Sequence, residues 1–150
     1  MWISVHDGRA TQRTGAPLIL IVEDDPLILS MVRETLEEEG YEAATAPHGA
    51  AALEYLARRQ QTGTPPPALI LLDMRMPVMD GWAFAEAYRW TPGPHAPIVV
   101  MTAAHDSAAR AAAIGAAAVL SKPFDMDELV ALVDQCLGVR RPVDRRASRE

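Results

Sequence analysis

Cysteine is almost absent from this sequence, since Cys136 is the only one among 150 residues. A single cysteine excludes an intramolecular disulfide framework and is typical of proteins kept in a reducing cytosol. Long hydrophobic runs are also missing, because no stretch approaches the roughly eighteen apolar residues of a membrane-spanning helix. The first residues, MWISVHDGRATQRTG, lack the basic-then-apolar pattern of a secretory signal. We therefore expect a soluble cytoplasmic protein that does not associate with membranes.

Basic residues are scarce as well, and the formal net charge is −6. Nucleic acids are bound by dense lysine and arginine, so this balance argues against DNA or RNA as the main partner of the folded part. The one basic cluster is the C-terminal stretch VRRPVDRRASRE (139–150), which is typical of a solvated tail.

Short, continuous apolar runs are what the sequence has instead, within a chain that is 49% apolar and long enough for one domain with a real core. Continuous runs are typical of strands in a parallel sheet that is covered on both faces. The runs are LILIV (18–22), ALILL (68–72), PIVVM (97–101) and AAVL (117–120), with the more polar YEAATA (41–46) as a fifth strand expected at an edge.

Stretches with helical spacing alternate with these runs. The first follows Asp25, a candidate N-cap, and stops at Gly40; the last begins with a capping box formed by Asp125 and Glu128. Five strand–helix repeats predict parallel strands joined by right-handed crossovers, and so a three-layer α/β sandwich.

The ordered domain is expected to cover residues 17–138. Residues 1–16 and 139–150 are polar extensions that we expect to be mobile. The proline-rich joints TGTPPPA (62–68) and TPGPHAP (91–97) are short, and we interpret them as loops rather than domain linkers.

Polar side chains follow four of the predicted strands. Glu23 and Asp24 follow the first, Asp73 the third, Thr102 the fourth and Lys122 the fifth. Functional groups in an open parallel sheet gather where the carboxyl ends of the strands emerge. We therefore expect all five side chains on one rim.

This set of side chains suits phosphoryl chemistry. Clustered acids must bind a cation or protons, and an all-oxygen site with few carboxylates suits Mg²⁺. A metal placed there can carry phosphate oxygens, while Lys122 adds a second positive charge. Asp73 could then attack phosphorus and form an acyl phosphate, with the Thr102 hydroxyl as a hydrogen-bond donor to the phosphoryl oxygens.

Four motifs in this order, ILIVEDDP, LLDMRMPVMDG, VVMTA and VLSKPF, resemble the receiver domain of bacterial two-component response regulators. The resemblance runs from about Leu18 to Leu137. It implies a flavodoxin-like (βα)5 fold with strand order 2-1-3-4-5. It also implies a phosphoacceptor signalling domain rather than an enzyme, in a phosphorelay with a histidine kinase or histidine phosphotransfer protein and a downstream protein target, as a monomer or weak dimer.

The resemblance also implies roles for individual residues. Asp73 would accept the phosphoryl group. Asp24 would bind Mg²⁺ directly, Glu23 would bind it through water, and the backbone carbonyl of Arg75 would be a further ligand, while Asp25 caps the first helix.

On the other side of the site, the resemblance implies that Lys122 contacts the phosphoryl group, that the Lys122–Pro123 bond is cis, and that Thr102 is the switch hydroxyl. One position departs from the family pattern: Val119 stands where the family usually has tyrosine or phenylalanine, three residues before the lysine. A valine cannot make a large rotamer swing, so we expect a weak or unusual conformational response to phosphorylation.

Only about a dozen residues follow the last predicted helix, too few for an output domain. We therefore expect a single-domain response regulator. Alternatives are a degenerate receiver that binds a partner constitutively and a receiver excised from a hybrid histidine kinase. An aspartyl-phosphate hydrolase is disfavoured, because such enzymes have a second acid two residues after the nucleophile, where this chain has Arg75.

Overall fold

Five parallel strands form the central layer of the computed structural model, which describes residues 15–103 and 107–139. The strands are β1 (Leu18–Val22), β2 (Glu42–Ala46), β3 (Leu69–Asp73), β4 (Ile98–Ala103) and β5 (Ala118–Lys122). Their order in the sheet is β2-β1-β3-β4-β5, and every neighbouring pair is parallel. The predicted flavodoxin-like fold and strand order are confirmed.

Five helices cover the two faces of this sheet. They are α1 (Pro26–Glu38), α2 (Gly49–Gln61), α3 (Gly81–Arg89), α4 (Ser107–Ala113) and α5 (Met126–Leu137). Successive side chains of a strand point to opposite faces of the sheet, so each strand contributes side chains to two hydrophobic cores. Leu20 and Val22 of β1 pack in the core under α2, α3 and α4, while Ile19 and Ile21 pack in the core under α1 and α5.

β1 lies at its predicted bounds, and the ends of the other strands differ from the predicted ends by at most two residues. The third strand was predicted at 68–72 and lies at Leu69–Asp73, because Asp73 is in register with Met101 of β4. The more polar run YEAATA forms β2, which lies at an edge of the sheet, as predicted. Its residues 43–46 are nevertheless buried, because their small side chains are covered by α1 and α2.

The helix caps agree with the sequence. The Asp25 carboxylate accepts hydrogen bonds from the backbone N–H groups of Leu27 (2.9 Å) and Ile28 (3.4 Å). Asp125 and Glu128 form the predicted capping box at the start of α5. The third acid of the sequence EDD therefore caps a helix and leaves the first two for another purpose.

Most of the two predicted extensions, residues 1–14 and 140–150, lies outside the described residues, as does the segment 104–106 between β4 and α4. Across the part of the chain that the structure does describe, none of the helices has the length and apolar character needed to span a bilayer.

Candidate functional site

The carboxyl ends of β1 and β3 bring three acids together. Val22 and Leu72 are register partners in these neighbouring strands, so the residues that follow them, Glu23 and Asp73, lie side by side. Asp24 is the next residue along the chain from Glu23. One carboxylate oxygen of each acid lies within 4.8 Å of those of the other two. Two strands that are about fifty residues apart in sequence thus create one acidic cluster.

The three acids differ in exposure. Glu23 is 1% exposed and Asp73 is 3% exposed, whereas Asp24 is open to solvent. The Glu23 Oε2 atom accepts a hydrogen bond from the backbone N–H of Asp25 at 3.1 Å. Its Oε1 atom has no hydrogen-bond partner among the described residues. A buried carboxylate oxygen without a donor is costly, so this atom is available to a cation.

Burial and mutual repulsion change the pKa values of the two buried acids. Burial, and then the negative charge of Asp73, raises the pKa of Glu23 from 4.5 to about 7, while the Asp25 N–H and Lys122 oppose the change. Burial also raises the pKa of Asp73, and the ion pair with Lys122 opposes this. Both buried acids therefore hold a proton more tightly than an exposed carboxyl group does.

Lys122 reaches this cluster from the end of β5, which is separated from β3 by β4. Its Nζ atom lies 3.1 Å from Oδ1 of Asp73 and 3.6 Å from Oε1 of Glu23. Burial acts to lower the pKa of Lys122, but the two carboxylates outweigh it and the pKa is raised. The lysine therefore remains charged at neutral pH and partly offsets the charge of the two acids.

Thr102 and Arg75 also lie at this rim. Thr102 is buried and stands one residue beyond Met101, the register partner of Asp73, on the strand between Asp73 and Lys122. The backbone N–H of Arg75 donates to Oδ1 of Asp73 at 3.3 Å, and the Arg75 side chain is exposed. All the site residues named from the sequence thus occupy one edge of the sheet. The Lys122–Pro123 peptide bond is cis, as expected.

Gly81, at the start of α3, supports the loop that follows Asp73. Its N–H donates to the carbonyl of Met74 at 3.1 Å. A Cβ at this position would lie 2.7 Å from Met74 Cα and 2.8 Å from the carbonyl oxygen of Asp73. Only glycine allows the start of α3 to pack so closely against the backbone of the site. The Asp-Gly pair that opens a helix in LLDMRMPVMDG is the sequence signal for this position.

The donor set fits a hard divalent cation. The three clustered carboxylates supply the oxygen ligands that Mg²⁺ prefers, and one of them has a buried oxygen that makes no hydrogen bond within the described residues. The exposed position of Asp24 leaves the site open to solvent, and Mg²⁺ usually keeps several of its waters.

The family comparison agrees with this geometry. Residues 19–134 match the family described as the response regulator receiver domain. The chain belongs to the response regulator receiver family. Receivers are the phosphoacceptor signalling domains of two-component systems, and they bind Mg²⁺ in an acidic site.

Individual receivers are similar along most of this chain. The DNA-binding transcriptional regulator NtrC of Escherichia coli is 36% identical over 123 residues, which are 81% of this chain and 25% of NtrC. This chain therefore spans about a quarter of the length of that relative. The similarity to the receiver part of such regulators supports a phosphorelay role.

Two solved structures illustrate the likeness of the fold. A putative response regulator from Chloroflexus aurantiacus has 31% identity and a TM-score of 0.70, covering 82% of this chain and 98% of that one. The receiver domain of the sensor histidine kinase PA1611 from Pseudomonas aeruginosa has 28% identity and a TM-score of 0.70, covering 83% and 99%. The latter structure has a magnesium ion coordinated in its active-site cleft.

Proposed function

We propose that this chain is a single-domain response regulator in which Asp73 accepts a phosphoryl group from a phosphohistidine. One observation carries the phosphoacceptor role of Asp73: carboxylate oxygens of Glu23, Asp24 and Asp73 lie within 4.8 Å of one another, and Lys122 pairs with two of these acids. A buried carboxylate that is held beside a lysine and a metal-binding pair is equipped to act as a nucleophile toward phosphorus.

The metal in this proposal is Mg²⁺. Glu23, Asp24, Asp73 and the backbone carbonyl of Arg75 would hold it, with Asp24 as a direct ligand and Glu23 acting through water. The ion would neutralise charge on the phosphoryl oxygens. Support comes from Oε1 of Glu23, which makes no hydrogen bond within the described residues, and from the magnesium ion in the similar receiver of PA1611.

The transfer step forms one bond and breaks another. A carboxylate oxygen of Asp73 attacks phosphorus, the bond from phosphorus to the donor's imidazole nitrogen breaks, and the imidazole leaves with the electron pair. Oδ1 of Asp73 already accepts from Lys122 Nζ and Arg75 N–H, so we propose that the other carboxylate oxygen attacks phosphorus.

After transfer, the charge of Asp73 resides on the phosphoryl oxygens. Lys122 can form an ion pair with these oxygens without leaving the site, because its Nζ is already 3.1 Å from the carboxylate. The Thr102 hydroxyl, one residue beyond the register partner of Asp73, is proposed to donate a hydrogen bond to a phosphoryl oxygen.

The partners in this proposal are proteins. A histidine kinase or a histidine phosphotransfer protein supplies the phosphoryl group, and a downstream protein reads the modified state, with the receiver acting in the cytoplasm as a monomer or weak dimer. A receiver within a hybrid kinase is the second arrangement to test, because the similar PA1611 domain belongs to a sensor histidine kinase. An immunoblot of the endogenous protein separates the two, since a single-domain regulator migrates near 16.3 kDa.

The chemistry is tested by incubating the protein with Mg²⁺ and acetyl phosphate and measuring its intact mass. We expect the addition of one phosphoryl group, which is lost in Asp73→Asn and on chelation of the metal. Asp80→Asn is the matched control, because asparagine is also a good N-cap at the start of α3 and Asp80 lies in the loop that follows Asp73. Modification that persists in Asp73→Asn would refute the assignment.

The same samples separate the other candidate functions. A hydrolase would release phosphate from a generic phosphate ester with continuous turnover, whereas a phosphoacceptor stops at one phosphoryl group per chain unless the acyl phosphate hydrolyses. A constitutive binding module would keep its partner and its signalling output in Asp73→Asn, whereas a phosphorylation-dependent regulator would lose that output.

A further inference from the structure

A cleft between α2 and α3 is not used by the chemistry above. Its volume is about 510 Å³, and its lining is mostly apolar, with Leu56 of α2 and Tyr88 of α3 on its two sides. The two proline-rich joints form the remaining walls. These joints lead into β3 and β4, so the cleft lies at the amino ends of the strands, opposite the rim that carries Asp73.

The cleft is held open by contacts in its own walls. The Arg59 Nε donates to the carbonyl of Pro65 at 2.9 Å, and the guanidinium lies 5.6 Å from the centre of the Tyr55 ring. On the other wall, the Tyr88 hydroxyl accepts from the N–H of Ala96 at 2.8 Å. Prolines in both walls fix φ near −65°, which limits collapse of the joints. A preformed apolar cleft of this size is typical of a site that receives a ligand.

The cleft is apolar surface that is open to solvent, and such surface is stabilised when another segment covers it. Trp90, the C-cap of α3, does not line the cleft: it is 76% exposed and its indole N–H donates to Glu86 at 3.0 Å.

The chain itself enters the domain beside this cleft. The side chain of Leu18, at the start of β1, packs against the same core as Leu56 and Tyr88. Its carbonyl accepts from the N–H of Ala68 at 2.8 Å, the residue that ends the joint TGTPPPA. Pro66 of that joint lines the cleft. Residues preceding β1 therefore arrive at the face and the edge where the cleft opens.

The segment outside the structure has a suitable sequence. Residues 1–14 lie outside the described part, and they begin with the apolar stretch MWISV. Nine residues, 6–14, separate this stretch from Gly15, and at about 3.3 Å each they span up to roughly 30 Å. A buried indole requires an acceptor for its N–H, and Gln60 and Thr64 in the cleft wall offer side-chain oxygens.

We propose that residues Met1–Val5 of this chain fold back into the cleft between α2 and α3, with the indole of Trp2 inserted between the two proline-rich joints. The contact is intramolecular and independent of the phosphoacceptor proposal, because the cleft and Asp73 lie at opposite edges of the sheet. Its loss should leave phosphorylation by acetyl phosphate unchanged.

Fluorine NMR of the full chain labelled with 5-fluorotryptophan tests this proposal. The chain has three tryptophans, and the signal lost in Trp2→Phe identifies Trp2. We expect the Trp2 signal to be several-fold less sensitive to a soluble paramagnetic quencher than the signal of exposed Trp90. Equal sensitivity of the two signals would overturn the proposal.

A charge placed in the cleft supplies the second arm. Ala57 is an exposed residue of α2 that lines the cleft, so Ala57→Glu should release Trp2 to solvent because a carboxylate opposes apolar cover. Ala131→Glu, at an exposed position of α5 on the other face, is the matched control and should leave Trp2 protected. A Trp2 signal that stays protected in Ala57→Glu would overturn the contact at this cleft. Protection that falls on dilution would overturn an intramolecular contact.

Discussion

The Nζ atom of Lys122 lies 3.1 Å from Oδ1 of Asp73, although 49 residues separate them in the sequence. The same atom lies 3.6 Å from Oε1 of Glu23, so one ammonium group forms ion pairs with two buried carboxylates. Removing one partner of a buried charge set leaves the others uncompensated, which is costly. Lys122 therefore balances the charge of both buried acids, and under the proposed function it would also assist phosphoryl transfer.

Replacing Lys122 should slow phosphorylation of Asp73. Lys122→Gln keeps a hydrogen-bond donor on a side chain that is one atom shorter, but it removes the positive charge that would meet the phosphoryl oxygens. By analogy with the loss of one preorganised donor, we expect the rate with acetyl phosphate and saturating Mg²⁺ to fall about 100-fold. The measurement is the rate at which the phosphorylated mass appears.

A second cation on the surface provides the control for this experiment. Arg58→Gln removes a charge from α2, where Arg58 pairs with Glu54 at 3.9 Å. It should leave the rate unchanged, because the ion pair is exposed and does not contact the acidic cluster. A similar loss of rate in both variants would mean that net charge, and not the position of Lys122, sets the rate.

Magnesium affinity should depend on pH through Glu23. Burial, and then the charge of Asp73, raises the pKa of Glu23 in the metal-free protein from 4.5 to about 7. The folded state therefore binds this proton more tightly than the unfolded state, and the contribution of Glu23 to stability is present at low pH and is lost as pH rises through about 7. A metal ion competes with the same proton, so affinity for Mg²⁺ should rise across that range.

Calorimetric titration at about pH 6 and about pH 8 measures this effect, and we expect roughly tenfold weaker binding at the lower pH. Glu23→Gln should flatten the dependence, because the titrating group is gone. Asp24→Asn should weaken binding at both pH values and keep the dependence. An affinity for Mg²⁺ that is the same at both pH values in the unmodified protein would contradict the role of Glu23.

Sequence patterns predicted the strands because a sheet covered on both faces requires continuous apolar runs, and each run here lies within a strand or one residue from it. The end of β3 was harder to predict. An aspartate is unfavourable in a strand, so the run appeared to end at Leu72, yet pairing with β4 includes Asp73. The rim of polar residues followed from topology alone, since parallel strands emerge at one edge.

The cleft and the conformation of Val78 could not be predicted in the same way. The cleft depends on two joints about thirty residues apart that meet only when α2 and α3 pack together. Val78 has a φ of 71°, and a β-branched residue is the least expected type in that region. The cleft comes from tertiary contacts, which local sequence does not encode. Val78 instead lies in a tight turn that is closed by the hydrogen bond from the N–H of Met79 to the carbonyl of Pro77 at 2.8 Å.

Enlarging Gly81 should disturb both stability and metal binding. In Gly81→Ala the new Cβ would lie 2.6 Å from Met74 Sδ and 2.8 Å from the carbonyl oxygen of Asp73, so the loop must shift. We expect a loss of about 1–3 kcal/mol in the free energy of unfolding, measured with urea, and weaker Mg²⁺ binding. Ala83→Ser is the control, because it also adds one heavy atom but at an exposed position of α3. It should change neither the free energy of unfolding nor Mg²⁺ binding measurably. A Gly81→Ala protein with unaltered stability and Mg²⁺ binding would refute the close packing.

Relieving the backbone at Val78 should stabilise the protein. Its side chain is 81% exposed, so little packing is lost on truncation, whereas its positive φ is costly for a β-branched residue. Val78→Gly should therefore raise the free energy of unfolding by about 1 kcal/mol. Val78→Ala, which keeps a Cβ, should raise it less. A destabilised Val78→Gly variant would show that the flexibility gained by the unfolded chain outweighs the strain removed.

Phosphorylation should change the surface around Val119 only weakly. Val119 is half-buried, pairs with Val100 of β4 and packs against the core under α2, α3 and α4. A valine has a single stiff χ1, so a change at Thr102 can move only a methyl group there, not a large ring. In amide spectra recorded with Mg²⁺ and acetyl phosphate, the largest shifts should therefore surround Asp73, with small shifts at Val119 and in α5. Val119→Tyr, which restores an aromatic ring at this position, should enlarge the shifts in α5. Large shifts concentrated at Val119 and α5 in the protein without this substitution would contradict this account. They would show that β5 and α5 respond to phosphorylation without an aromatic ring.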